Sequence, residues 1–137
     1  MPYKLFDFID HRGNNAVKIW LQGLERMQLS KVNARLKLLE QSGDELIPSI
    51  VTPAVGSVHI LEIPIGGNVA LRLLLCRGPL NLGKDCREFT LLFGARERDR
   101  KYVPPNAVQK ADERRLLIMK DPSRRCEHEH VGPGTNQ

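Results

Sequence analysis

One run constrains this chain more than any other: Val69-Ala70-Leu71-Arg72-Leu73-Leu74-Leu75-Cys76. It is apolar on both faces except at Arg72, so as a strand it belongs in the middle of a sheet covered on both sides. Directly before it, Gly66-Gly67-Asn68 is a strong hairpin signal, because glycine tolerates positive φ. Val58 to Ile65 is therefore its predicted antiparallel partner, with residues 62 and 72 at equal distance from the turn. Beyond a loop containing Gly78-Pro79 and Gly83-Lys84, Cys86 to Ala95 supplies a further strand and completes a meander.

The flanks supply the cover. Tyr3 to Ile9 reads as a short strand, which must join the same sheet to be stable. Asn14 or Asn15 can cap a helix, since an Asn side chain satisfies free amides in a first turn. Ala16 to Met27 then carries Val17, Trp20, Leu24 and Met27 on one stripe. Ser30 can cap a second helix running to Gln41, with Val32, Leu36 and Leu39 inward and Gly43 as a left-handed stop. These two are predicted to pack as a helical hairpin on one sheet face. Ile47 to Gly56, with two prolines, reads as a loop. Pro104-Pro105 opens a last helix over Asn106 to Met119. The predicted fold class is α+β: strand, helix, helix, three antiparallel strands, helix. Residues 1–120 form the domain, and 121–137 are expected to be a disordered tail for want of apolar content.

At 137 residues the chain suits one domain. Its formal net charge of +5 attracts polyanions such as nucleic acid. It has no run of about 18 apolar residues, so no membrane span is expected. The opening residues, with Asp7 where a signal peptide needs an apolar run, predict a cytoplasmic protein. Three cysteines, Cys76, Cys86 and Cys126, form no C-x-x-C pair and fit reduced thiols.

Three constellations bear chemistry. Arg72 is a lone charge in an apolar strand and needs a partner. It is either a rigidly mounted phosphate ligand or half of a structural ion pair with Glu62, and the two are compatible. In Gly94-Ala95-Arg96-Glu97-Arg98-Asp99-Arg100-Lys101, continued strand alternation puts Arg96, Arg98 and Arg100 on one face, a surface able to track an RNA backbone. The rival reading is a solvated loop with self-paired charges. Cys126-Glu127-His128-Glu129-His130 has metal-ligand residue types in no standard zinc spacing, and reads as incidental tail composition. Phosphate-loop, H-E-x-x-H, G-x-S-x-G and dinucleotide motifs are absent. His59, assigned to a strand, and His11, in a turn, have no evident acid partner. Any RNA cleavage would rest on positioning, cationic stabilisation and Tyr102 as proton carrier.

The element order, with His59-Ile60-Leu61-Glu62-Ile63, Val69 to Leu75 around Arg72, Phe89 to Arg96, and Pro104 to Arg114 around Ala111, resembles the RelE/ParE superfamily of toxins, nearest its phage-derived, HigB-like branch. The resemblance covers roughly residues 3 to 118. It implies the toxin of a type II toxin–antitoxin module, a metal-independent endoribonuclease acting on ribosome-bound mRNA without cofactor. The implied partners are a cognate antitoxin, in a possible hetero-oligomer, and mRNA on the ribosome. The resemblance carries catalytic roles onto Arg72, Arg96 and Tyr102, and RNA contacts onto Arg98, Arg100 and Lys101. Departures are Pro64 in place of an Arg, Leu71 in place of an aromatic residue, and Ala95 and Glu97 within the usual basic pair. The superfamily also includes gyrase poisons and inactive relatives, so a non-enzymatic toxin and a catalytically silent binding module stand as alternatives.

Overall fold

The computed structural model describes residues 3–67 and 69–132. Its elements are β1 (Lys4–Phe8), α1 (Ala16–Gln22), α2 (Arg26–Gln41), a 3-10 turn at Asp44–Leu46, α3 (Ile47–Ile50), β2 (Thr52–Pro53), β3 (Leu61–Ile65), β4 (Ala70–Arg77), β5 (Glu88–Arg98), β6 (Lys101–Val103), α4 (Ala107–Lys120), a 3-10 turn at Pro122–Arg124, and β7 (Arg125–Glu127). The class is α+β, with four helices and one open mixed sheet of seven strands among the described residues. Strand order is β2-β3-β4-β5-β1-β7, and β6 also pairs with β5. The β3-β4-β5 meander is antiparallel as expected, and β1 joins it parallel to β5.

Each sheet face has its own core. On one, Leu71, Leu73 and Leu75 of β4 and Phe89 and Leu91 of β5 pack against Val17 and Leu21 of α1 and Val32, Leu36 and Leu39 of α2. On the other, Leu74, Cys76, Leu92 and Ala95 pack against Ala107, Val108, Ala111 and Ile118 of α4. This two-sided burial explains why β4 is apolar throughout.

Local departures have local causes. The first helix stops at Gln22 and not at Met27. The Gly23 amide closes it by donating to the Ile19 carbonyl at 3.1 Å, and the chain re-enters helix at Arg26, so Ser30 is interior to α2 rather than its cap. Gly43 has φ −79°, not a left-handed value, because the extended Ser42 ends α2 one residue earlier. Residues 47–56 hold more structure than a loop: α3, then β2 pairing with β3. His59 lies before β3, in an exposed bend.

The largest correction is the C-terminal segment. Residues 121–132 are not a disordered tail but a strap across the body; 133–137 lie outside the described residues. Strand β7 pairs antiparallel with β1, Phe6 facing Glu127 and Phe8 facing Arg125. Arg125 lies over the Phe6 ring and donates to Glu88 at 3.1 Å. His128, its side chain fully buried, holds Asp7 through Nδ1 at 2.8 Å. Val131 is buried in the α2-side core, and its carbonyl accepts from Asn33. Backbone pairing and paired polar side chains hold the segment, which is why apolar content did not announce it.

Candidate functional site

Arg72 lies on the α4 side of β4, toward the sheet end nearest the β5–β6 turn. The β3–β4 register differs from the one the glycine turn suggested. Arg72 faces Pro64, and Glu62 faces Leu74. Glu62 is thus a diagonal neighbour on the same face, within reach of long side chains. Glu97 is the matching diagonal neighbour from the other side, since Ala70 faces Glu97 and Arg72 faces Ala95. Pro64 is tolerated because β2 covers β3 only at Leu61 and Glu62, leaving an edge at residue 64.

The resulting network is closed. Arg72 Nε binds Glu62 Oε2 at 2.8 Å, Nη2 pairs with Glu97 Oε2, and Nη1 donates to the Leu71 carbonyl at 3.2 Å. The second oxygen of Glu62 accepts from the Tyr102 hydroxyl at 2.7 Å. Strand β6 delivers Tyr102, paired across from Glu97. These side chains line an open pocket of about 450 Å³, rimmed by Arg100 and Lys101. Burial and the hydrogen bond to Glu62 push the Tyr102 phenol up to about 12, so it is a neutral proton donor at ordinary pH. The ion-pair reading of Arg72 therefore holds, and the pair lies in the wall of a pocket. The guanidinium is mounted in a pocket and satisfied by two carboxylates, not one.

Arg96 and Arg98 do not join Arg72, contrary to what the resemblance implied. The cause is a β-bulge. Pairing runs Leu74 to Phe93 but Leu75 to Leu91, leaving Leu92 as an extra residue. Phe89 and Leu91 belong to the α2-side core, whereas Leu92 and Ala95 belong to the α4-side core. The bulge inverts the alternation, so Gly94 meets Trp20 of α1, and Arg96 and Arg98 follow it onto that face, exposed. Glu97 and Tyr102 turn to the pocket. The strand continues to Arg98, as the alternation argument required, but Arg100 leaves the row: Asp99 and Arg100 form a two-residue turn at φ 53° and 65°.

The sequence reading missed Glu97 as a site residue. It was noted only as an acid interrupting a basic pair. The signal was present in the count of lone charges: Arg72 has three nitrogens to satisfy, and one carboxylate cannot engage them all. The residues Cys126, His128 and His130 are spent on separate partners: Asn15 donates to the Cys126 sulfur, His128 holds Asp7 and His130 pairs with Glu40. Among the described residues no group of three could hold a metal ion, the three cysteines are free, and no helix is long and apolar enough to cross a membrane. Comparison of the chain with family models, with curated proteins and with solved structures returned no match.

Proposed function

We propose that this chain is a RelE/ParE-like toxin whose pocket cleaves RNA without a metal. The cellular substrate would be mRNA on the ribosome, and a cognate antitoxin would hold the toxin in check in the cytoplasm. The observation that carries the reading is the Tyr102–Glu62–Arg72–Glu97 network in an open pocket. RNA brings its own nucleophile, so the protein needs only to position it, move two protons and hold charge.

The residues divide that work. Glu62 takes the proton of the ribose 2′-hydroxyl as its oxygen attacks the adjacent phosphorus. The P–O bond to the next nucleotide's 5′-oxygen breaks, leaving a 2′,3′-cyclic phosphate. Tyr102 gives its proton to that leaving oxygen. Arg72 holds the non-bridging oxygens, releasing Glu97 as it does so. The hydrogen bond between Tyr102 and Glu62 then returns the proton from carboxyl to phenolate, and the pair is reset.

A second reading is favoured by one feature of the same site. All three guanidinium nitrogens of Arg72 already have partners, and Arg96 and Arg98 face away, as would suit a catalytically silent binding module.

The deciding experiment induces wild type, Arg72→Ala, Glu62→Gln and Tyr102→Phe in cells and maps mRNA ends by primer extension. Growth arrest with new cleavage sites, reduced about 100-fold or more in Glu62→Gln while the protein stays folded, is the expected result. Arrest with intact mRNA would redirect the reading to a gyrase-type protein target. Harmless induction of soluble wild type would leave the silent module.

A further inference from the structure

We propose that α4 carries a self-association surface: a leucine stripe through which two copies of this chain pair by their α4 helices, antiparallel about a two-fold axis. The stripe shares no residue with the Arg72 pocket, so the inference stands or falls independently of RNA cleavage.

Three observations converge. First, α4 is apolar on a second side. Its sheet-facing side is already supplied by Ala107, Val108, Ala111 and Ile118, which are buried in the core. Yet Leu116, Leu117 and Met119 stand 47%, 39% and 47% exposed around Ile118, and they line an open trough of about 540 Å³. Single exposed leucines are ordinary, but a contiguous apolar patch on a surface helix marks a contact. Second, the trough is bounded by opposite charges. Glu113 and Lys120 sit at i and i+7, with Leu116 and Leu117 between them at i+3 and i+4, all on one stripe. Among the described residues neither charge has an ion-pair partner within 4.0 Å. Glu113 accepts only a long hydrogen bond from Gln109, at 3.4 Å. Third, the pattern is its own complement. Under a two-fold axis, if residue i meets residue j, then j meets i. An axis between Leu116 and Leu117 therefore lays leucine on leucine and sets each Glu113 against the partner's Lys120. An anionic lipid surface would instead call for basic flanks, and Glu113 is an acid.

One helix face per copy makes a small contact, in the weak class of interfaces below about 1,200 Å². Sedimentation equilibrium of the purified full chain from about 1 μM to 1 mM should accordingly show monomer passing to dimer. Leu116→Ser/Leu117→Ser should abolish the dimer with little change in melting temperature, because both positions are exposed. Glu113→Lys and Lys120→Glu should each weaken it about tenfold or more, since every dimer then holds two like-charge contacts. Mixed in equal amounts, these two variants should dimerise as wild type does, since each mixed pair regains both opposite-charge contacts. That rescue separates a two-fold α4 pairing from association through any other surface. A chain that stays monomeric to about 1 mM overturns the proposal. If that monomer floats with phosphatidylglycerol vesicles, the stripe belongs to a lipid surface instead. Dimerisation indifferent to the single charge reversals, or not rescued on mixing, overturns the proposal equally.

Discussion

Glu62 is the hinge of the pocket's chemistry, because its two oxygens serve different partners: a cation on one side and a phenol on the other. The phenol responds to burial and to that carboxylate by holding its proton more tightly than free tyrosine, which titrates near 10. An acid whose folded value is raised favours folding while both states are protonated. Above about pH 10 the unfolded chain ionises first, so the contribution of Tyr102 fades as pH rises from there through about 12. Ultraviolet titration of wild type minus Tyr102→Phe should accordingly show a phenolate transition near 12; a difference transition near 10 would mean that the hydroxyl is solvated and free of Glu62. The lone arginine of an apolar strand was legible as a residue in need of a partner. Its second carboxylate was not, because Glu97 sits in a run of alternating charge where any local reading pairs it with its sequence neighbours.

At the scale of elements, β5 decides where the charges go. The meander and its helical cover could be read from β4, whose apolar faces demand layers on both sides. The inversion within β5 could not. Phe89, Leu91, Leu92 and Phe93 are apolar whichever face they take, so nothing in the run marks an extra residue. Gly94 is the visible trace of the event. A Cβ there would fall inside the Trp20 indole, which lies directly on the strand. Gly94→Ala should therefore destabilise the fold by about 1–3 kcal/mol through overpacking. Trp20 is the chain's single tryptophan. Its emission should shift red in the variant as the ring is displaced, and chemical denaturation followed by that signal gives the energy. Unchanged emission and stability would mean that Trp20 has room the structure does not give it.

For the whole molecule, the two ends of the chain are stitched together, and the stitch is polar. Strand β1 would be an edge without β7, and Asp7 is 1% exposed beneath the strap. Its carboxylate is answered by His128 at 2.8 Å and by Asn15 at 2.8 Å, the same Asn15 that caps α1 by accepting from the Lys18 amide. One buried acid thus ties together β1, the start of α1 and the C-terminal strap. Composition could not reveal this, because an isolated acid, amide and histidine look like surface residues until the fold pairs them. Removing one hydrogen-bond partner of a buried polar group leaves that group under-satisfied, at a cost of about 1–3 kcal/mol. His128→Ala should lose stability on that scale in urea unfolding, a large part of what a domain of this size typically has. Asp7→Asn combined with His128→Ala should recover part of the loss, since the orphaned carboxylate is then gone. Should His128→Ala unfold at the wild-type midpoint, the strap would lie outside the cooperative unit, and the domain would end at Lys120.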